Sequence, residues 1–350
     1  MTATIPVLDG GATAAYVGIL TPGSTSRMRA EWLRKLTPGW KWEWIDTDAL
    51  MESRLRLWRS MAYRYQIGEA VDAINNRIAA QLTSKVDLMW VDKAVFLRQR
   101  TVERAREVAG RLVHFTPDTA FGNNTSRHFE NTLPLFDLAV TTKSFEVDAY
   151  RQRTENGKVY LTTQGFDPDV HFPRSGPEQR RREAVFVGLA EADRENCLGL
   201  LLDRGVGVRL AGRGWGTFLS KYQNHPLLAF EGEDCFGSAY ASLLSRSWIG
   251  LGMLSKRFPE LHTTRTFEIP ACGAILATEA TTETARFFSE EEALFFSDFE
   301  DLAQKAKRLL ARDDAELSSF AAKGRARVLS DARDYPAILS AILRHPRLTL

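Results

Sequence analysis

The chain predicts an α/β fold: two Rossmann-like domains whose parallel sheets face each other across a cleft. Three observations carry this. Short apolar runs alternate with longer amphipathic stretches from residue 14 to residue 163, the pattern of a parallel sheet covered by helices on both faces. The alternation stops near Gln164–Glu183 and restarts at Ala184. The length of 350 residues exceeds one ordinary core and suits two.

Taken in order, Ala14–Leu20 reads as a buried strand, followed by a turn-rich TPGSTS and a helix over Arg27–Leu36. Lys41–Ile45 is a second strand, and a long helical region, interrupted by breaks the pattern does not locate, covers roughly Ala49–Thr83. Asp87–Val91 is a strand, Leu97–Ala109 a helix, and Arg111–Phe115, Asp137–Thr141 and Val159–Thr163 are further strands. The stretch QGFDPDVHFPRSGPEQRRRE combines prolines, glycines and mixed charge without apolar periodicity, so it reads as a domain linker. Beyond it come strands at Ala184–Val187, Gly207–Ala211, Trp248–Leu251 and Ala274–Thr278. Helices are expected at Arg194–Leu202, Asp298–Ala311 and Ala315–Leu329. The expected domains are 1–165, a linker at 166–183, 184–330, and a last segment at 331–350. In that segment Tyr335, Ile338, Leu339 and Ile342 form one apolar helical stripe.

Composition narrows the class. Hydrophobic residues make up 44% and charged residues 26%, as in ordinary globular proteins. A net charge of +2 offers no electrostatic case for nucleic acid, and a pI near 8.4 leaves room only for weak attraction to an anionic membrane surface. Cys197, Cys235 and Cys272 show neither disulfide nor zinc spacing, so a reducing cytoplasm is the expected compartment. The first twenty residues lack the pattern of a signal peptide, and no apolar stretch reaches the ~18–20 residues of a spanning helix.

Two βα domains joined by a linker would place a ligand-binding cleft between the carboxyl ends of their sheets. Nucleotide-sugar transferases, two-domain dehydrogenases and periplasmic sugar-binding proteins share that geometry. The dehydrogenase reading wants GxGxxG after a strand, whereas Gly212, Gly214 and Gly216 give GxGxG.

The most informative stretch is Phe258–Thr278, FPELHTTRTFEIPACGAILAT. Pro270 is expected in the first turn of a helix, which starts that helix near Thr264–Thr266 with a threonine as its cap. The helix N-terminus and Arg265 would then suit a diphosphate. Glu268, one turn in, could accept hydrogen bonds from both hydroxyls of a ribose.

Arg265-Thr266-Phe267-Glu268-Ile269-Pro270-Ala271-Cys272-Gly273 resembles the signature segment of the CgeB-like (spore-maturation-like) glycosyltransferases. Phe186-Val187-Gly188 with Arg194, and Leu210-Ala211-Gly212-Arg213-Gly214-Trp215, are similar to that family's C-terminal strands. Val113–Asp118 and Thr141–Lys143 look like its N-terminal domain, and Gly165–Pro173 like its linker. The resemblance covers most of residues 85–335. It implies a GT-B fold and transfer of a sugar from a nucleoside-diphosphate sugar, UDP- or GDP-linked, to a hydroxyl acceptor. A glycan, a lipid-linked saccharide, a protein or a small molecule would each serve as that acceptor.

The resemblance also implies that Glu268 binds the donor ribose and that the last helix crosses back to the N-terminal domain. Glu260 has the spacing of a Glu-x7-Glu pair with Glu268, although Leu261-His262 replaces the usual Phe-Gly. The expected donor set is Gly188, Gly212, Arg213, Trp215, Lys256, Arg265, Thr266 and Glu268. Trp215 reads more readily as core and Lys256 as a solvated lysine, while the glycines read equally as plain turns. Gly23, Ser24, His128 and Lys143 are the expected acceptor-side residues. Asp118, Arg265 and Glu260 are the catalytic candidates, with Asp118 as general base if the anomeric configuration inverts. No cofactor and no metal are expected, because basic groups stand where a metal would. An epimerase or hydrolase acting on the donor alone, or a non-catalytic binding module, would fit the same fold.

Overall fold

The computed structural model describes residues 11–122, 125–257 and 259–348. The N-terminal stretch read for a leader falls largely outside them, as does Phe258 at the head of the informative segment. The chain divides into two compact units. Unit 1 holds residues up to Thr163 together with Tyr335–Leu350, and unit 2 holds Gln164–Asp334.

Unit 1 runs β1 (Thr13–Gly18), α1 (Thr25–Leu36), β2 (Lys41–Asp46), α2 (Thr47–Glu52), α3 (Arg56–Tyr65), α4 (Glu69–Gln81), β3 (Val86–Asp92), α5 (Gln99–Val108), β4 (Ala109–Thr116), α6 (Arg127–Thr132), β5 (Leu138–Thr141), α7 (Val147–Arg151) and β6 (Val159–Leu161). Its sheet has six strands in the order β2-β1-β3-β4-β5-β6, all paired in parallel. The central strands are apolar on both faces: Ala14–Val17 and Leu88–Val91 are buried throughout, as a sheet covered by helices on two sides requires.

Unit 2 runs β7 (Arg181–Val187), α8 (Ala192–Asp203), β8 (Gly207–Ala211), α9 (Gly216–Lys221), β9 (Leu228–Phe230), α10 (Gly237–Ser245), β10 (Ser247–Leu251), α11 (Arg265–Ala271), β11 (Ile275–Glu279), α12 (Thr284–Phe287), β12 (Leu294–Phe296), α13 (Phe299–Leu310) and α14 (Asp314–Ser330). Its sheet order is β12-β11-β10-β7-β8-β9, again parallel. A last helix, α15 (Tyr335–Leu343), follows unit 2 in sequence but packs on α1 of unit 1. Its stripe of Tyr335, Ile338, Leu339 and Ile342 is buried there.

Four local features differ from, or go beyond, what the sequence predicts. The helical region over residues 49–83 is three helices. It breaks where Gln66 takes a left-handed conformation and Gly68 a φ of +96°. Trp58 lies 3.0 Å from where a β-carbon on Gly68 would stand, so the turn closes over the indole and only glycine fits. The segment read as a linker at 166–183 is folded into unit 2. Phe166 is core, the Phe166 N–H donates to the Arg333 carbonyl, and β7 begins within the segment. Its prolines punctuate a compact loop instead of a free tether. Pro270 lies in the second turn of α11, not the first. The helix is seven residues long and buried, so one missing intrahelical bond is tolerated. Trp40, Trp42 and Trp44 are only half-buried, because β2 is the edge strand of its sheet.

Candidate functional site

At the carboxyl ends of the unit 2 strands, two loops meet. The Gly188 N–H donates to Ala211 O and the Ala190 N–H to Arg213 O, extending the β7–β8 pairing past the strands. Gly212 has φ +126°, and a β-carbon there would lie 2.0 Å from Gly188 O. Gly212 is therefore a glycine because two backbones approach closely, whereas a β-carbon on Gly188 would press on the Phe186 ring at 2.9 Å. Gly212→Ala is expected to cost at least ~2 kcal/mol, lowering the melting temperature by roughly 4 °C or more. An unchanged melting temperature would show that the approach is not needed.

Two guanidinium groups stand beside this junction. The Arg265 side chain leaves the start of α11, and its Nη2 donates to Met253 O at 3.2 Å. Its Nη1 is 3.5 Å from where a Gly188 β-carbon would sit, and its guanidinium lies 5.5 Å from the Phe186 ring centroid. Arg194, on α8, places its guanidinium 5.4 Å from the same ring, donates to Leu189 O and pairs with Glu191 at 2.8 Å. Burial, and then repulsion from Arg265, lowers the Arg194 pKa below the usual guanidinium value, and Glu191, Glu260 and Glu279 oppose that shift. Two like charges held on one aromatic ring create a place where an anion would relieve repulsion. Arg194 entered the sequence reading only through a family resemblance. Its partnership with Arg265 links α8 to α11, and no sequence spacing reveals it.

Glu268 lies deeper in α11 and is buried. The Tyr240 hydroxyl donates to its Oε2 at 3.0 Å, and His171 Nε2 lies 3.8 Å from its Oε1. His171 Nδ1 accepts from the Asp167 N–H, so in the neutral ring the proton sits on Nε2 and faces the carboxylate. Burial, with the neighbouring Glu268 charge, raises the Tyr240 pKa well above its ordinary value, which keeps the hydroxyl a donor. Sequence reading missed His171 and Tyr240 because they come from distant elements. His171 lies in the stretch read as linker.

Other expected donor residues have different work. The Thr266 hydroxyl is buried and accepts from the Thr263 N–H, so it locks the start of α11 and does not face a ligand. In that first turn the N–H groups of Thr266 and Phe267 already donate to Thr263 O and Thr264 O. The Thr264 side chain makes no capping bond. A seven-residue helix whose first N–H groups are partly spent is a weak anion site, so the charge capacity lies in the two arginines. The Trp215 ring is buried between Phe186 and Phe218, and its N–H donates to Gly188 O. It braces the glycine loop and has no free face for stacking a base. Lys256 pairs with Glu279 at 3.0 Å, and Arg213 with Asp234 at 2.6 Å, both at the surface. Glu260 is half-buried and close enough to Arg194 to influence its charge.

In unit 1, a cavity of about 170 Å³ opens at the carboxyl ends of β1, β3 and β4, lined by Ile19, Asp48, Tyr63, Asp92, His114 and Asp118 among others. Asp92 Oδ2 is held by Arg29 and by the Tyr16 hydroxyl, each at 2.8 Å. Its buried Oδ1 has no hydrogen-bond partner, and neither does His114 Nδ1. Burial lowers the His114 pKa to about 3, so the ring is neutral. Asp118 pairs with Lys93 at 2.5 Å. Burial raises its pKa, but Lys93, Lys143 and Arg29 outweigh that and leave it below the usual carboxylate range. Lys143 is buried, contrary to a surface role, and acts on Asp118 as a nearby charge. Ser24 caps α1 by accepting from the Arg27 N–H, Gly23 supplies the preceding positive φ, and His128 Nε2 bonds Gln66 O. Of these acceptor-side expectations, only Asp118 lines the cavity. Among the described residues, no group of histidine, cysteine, aspartate or glutamate side chains could hold a metal ion. No described helix is long and apolar enough to cross a membrane.

Residues 192–343 match the family described as glycosyl transferase-like. No curated protein matches the chain in sequence. Among solved structures, the chain is similar to the N-terminal domain of trehalose-6-phosphate phosphatase from Candida albicans, with a TM-score of 0.68 at 14% identity over 97% of each chain. Sucrose-phosphate synthase from Thermosynechococcus elongatus aligns with a TM-score of 0.63 at 14% identity, covering 95% of this chain and 98% of that one. The Anabaena protein HepE, solved in complex with UDP and glucose, aligns with a TM-score of 0.63 at 11% identity, covering 94% and 98%. Two six-stranded parallel sheets flanked by helices give the chain the GT-B fold, as in the sucrose-phosphate synthase structure.

Proposed function

We propose that the chain is a glycosyltransferase that moves a sugar from a nucleoside-diphosphate sugar, UDP- or GDP-linked, to a hydroxyl acceptor. Unit 2 takes the donor and unit 1 the acceptor. The observation that carries this is the pair of guanidinium groups, Arg194 and Arg265, set on Phe186 at the carboxyl ends of the unit 2 strands. In the reaction the bond from the anomeric carbon to the diphosphate oxygen breaks and a bond to the acceptor oxygen forms. Negative charge grows on the leaving diphosphate, and fixed cations stabilise it without reorganising. The glycosyl transferase-like match across residues 192–343 supports the same assignment. So does the binding of UDP and glucose by HepE, a protein of the same fold. The Arg265–Gly273 segment resembles that of the CgeB-like branch and supports a kinship with it.

Glu268 would bridge the donor ribose hydroxyls and Glu260 would reach the donor sugar. On the acceptor side, the free Asp92 Oδ1 is a hydrogen-bond acceptor waiting for a hydroxyl. Asp118, kept ionised by Lys93, orients that hydroxyl and takes its proton if the configuration inverts. Two basic groups do the work of a metal, so transfer is expected to persist in EDTA.

The test is turnover and thermal stabilisation across UDP, GDP, CDP and TDP and their sugars, with EDTA present. A cognate ligand at 100 times its Kd should stabilise the fold by ~2.7 kcal/mol. Product formed from donor alone would make the chain an epimerase or hydrolase. Loss of activity in EDTA, restored by manganese, would move the diphosphate away from the arginines.

A further inference from the structure

Between Ser53 and Gly68 the chain reads SRLRLWRSMAYRYQIG, with four arginines and no acidic residue. Most of this segment is α3. Leu55 is 75% exposed, Leu57 67%, Tyr63 61%, Tyr65 59% and Ile67 47%. In the helix itself only Ala62 is buried, while Trp58 and Met61 are half-covered. A monomeric surface rarely gathers so many large apolar side chains in one stretch; Tyr63 meets the Phe96 ring edge-on at 5.7 Å, and the others stay largely exposed. Leu57, Ser60 and Arg64 share one face at i, i+3 and i+7. Arg54 and Arg59 make surface pairs with Glu69 and Glu52 at its flanks. Among the described residues, Arg56 and Arg64 enter no ion pair.

We propose that this segment docks the protein on an anionic lipid bilayer. Leu55, Leu57, Tyr65 and Ile67 would enter the headgroup–acyl boundary, and Arg56 and Arg64 would meet the lipid phosphates. Basic residues interleaved with aromatic and aliphatic ones on a short amphipathic helix are the composition of an interfacial helix. The charge also selects the occupant. A second copy seated on the same face would set arginine against arginine, whereas an anionic surface complements Arg56 and Arg64, which have no carboxylate partner among the described residues. The inference rests on exposure and charge alone and stands apart from the transfer reading. If that reading also holds, the acceptor hydroxyl is carried on a membrane-bound molecule, since Tyr63 and Gln66 of this segment line the unit 1 cavity.

The experiment is co-sedimentation of the full chain, without nucleotide sugar, with unilamellar vesicles of phosphatidylglycerol and phosphatidylcholine in equal parts, and with phosphatidylcholine alone. Binding is expected to the first only and to weaken as sodium chloride rises. The double variant Leu55→Glu, Leu57→Glu should bind at least ~10-fold more weakly. Arg56→Gln with Arg64→Gln should bind roughly 20-fold more weakly. Both should keep the wild-type melting temperature, since these side chains are exposed. Four results would overturn the proposal: no sedimentation with the anionic vesicles, equal binding to phosphatidylcholine alone, binding indifferent to both double variants, or a dimer in solution that Leu57→Glu dissolves.

Discussion

Arg265→Ala is expected to slow glycosyl transfer by roughly 100- to 1000-fold, the loss that follows removal of one preorganised group facing developing negative charge. The change should fall mainly on kcat, because charge on the leaving diphosphate is greatest in the transition state. Arg265→Lys keeps the charge but loses the planar fork, and with it the bond to Met253 O that aims the group. It should fall between wild type and alanine. Arg194 stands on the same Phe186 ring and keeps its charge without Arg265, so Arg194 can take part of the load. The double variant should then lose more than the sum of the single losses predicts. Steady-state kinetics on the four proteins measures this coupling directly. Wild-type kcat and donor affinity in Arg265→Ala would place the diphosphate elsewhere.

Glu268→Ala should weaken nucleoside-diphosphate binding by about 30- to 1000-fold, since two charge-assisted hydrogen bonds to ribose disappear. From sequence alone, this substitution should leave folding almost untouched, as the carboxylate would do little beyond complementing a helix dipole. The structure changes that expectation. Glu268 is buried and accepts from the Tyr240 hydroxyl, and alanine leaves that buried hydroxyl without its partner, a cost of ~1–3 kcal/mol. A fall in melting temperature therefore accompanies either role and separates nothing. Calorimetric binding of ribo- and 2′-deoxynucleotide to wild type and variant does separate them. If Glu268 holds the ribose, the 2′-hydroxyl contributes strongly in wild type and much less in Glu268→Ala. Equal discrimination in both proteins would make Glu268 a purely structural carboxylate. Glu268→Gln keeps an oxygen for Tyr240, so it should recover stability while remaining weak in binding.

Local pattern determined much of this protein. The strands β1, β3, β4, β7, β8, β10 and β11 are apolar runs, and α1, α13, α14 and α15 are amphipathic periods. Both signals lie within a few neighbouring residues, so the two parallel sheets could be read without tertiary information. The Arg265–Gly273 segment was legible for the same reason, because its helix, glycine and following strand are contiguous. Shorter elements such as α9, β9 and β12 escaped, since their few residues carry little periodicity.

Tertiary structure decided the rest, because burial and pairing join residues that are distant in sequence. Only the packed fold sets Arg194 beside Arg265, His171 and Tyr240 around Glu268, and Arg29 against Asp92. Only the packed fold turns Thr266 inward and leaves Leu55 and Leu57 outside. The stretch at 164–183 shows the limit most clearly. Its composition is that of a linker, yet Phe166 and His171 are buried in unit 2. Whether an apolar or ionisable side chain is covered depends on what the rest of the chain brings to it, and no local pattern carries that information.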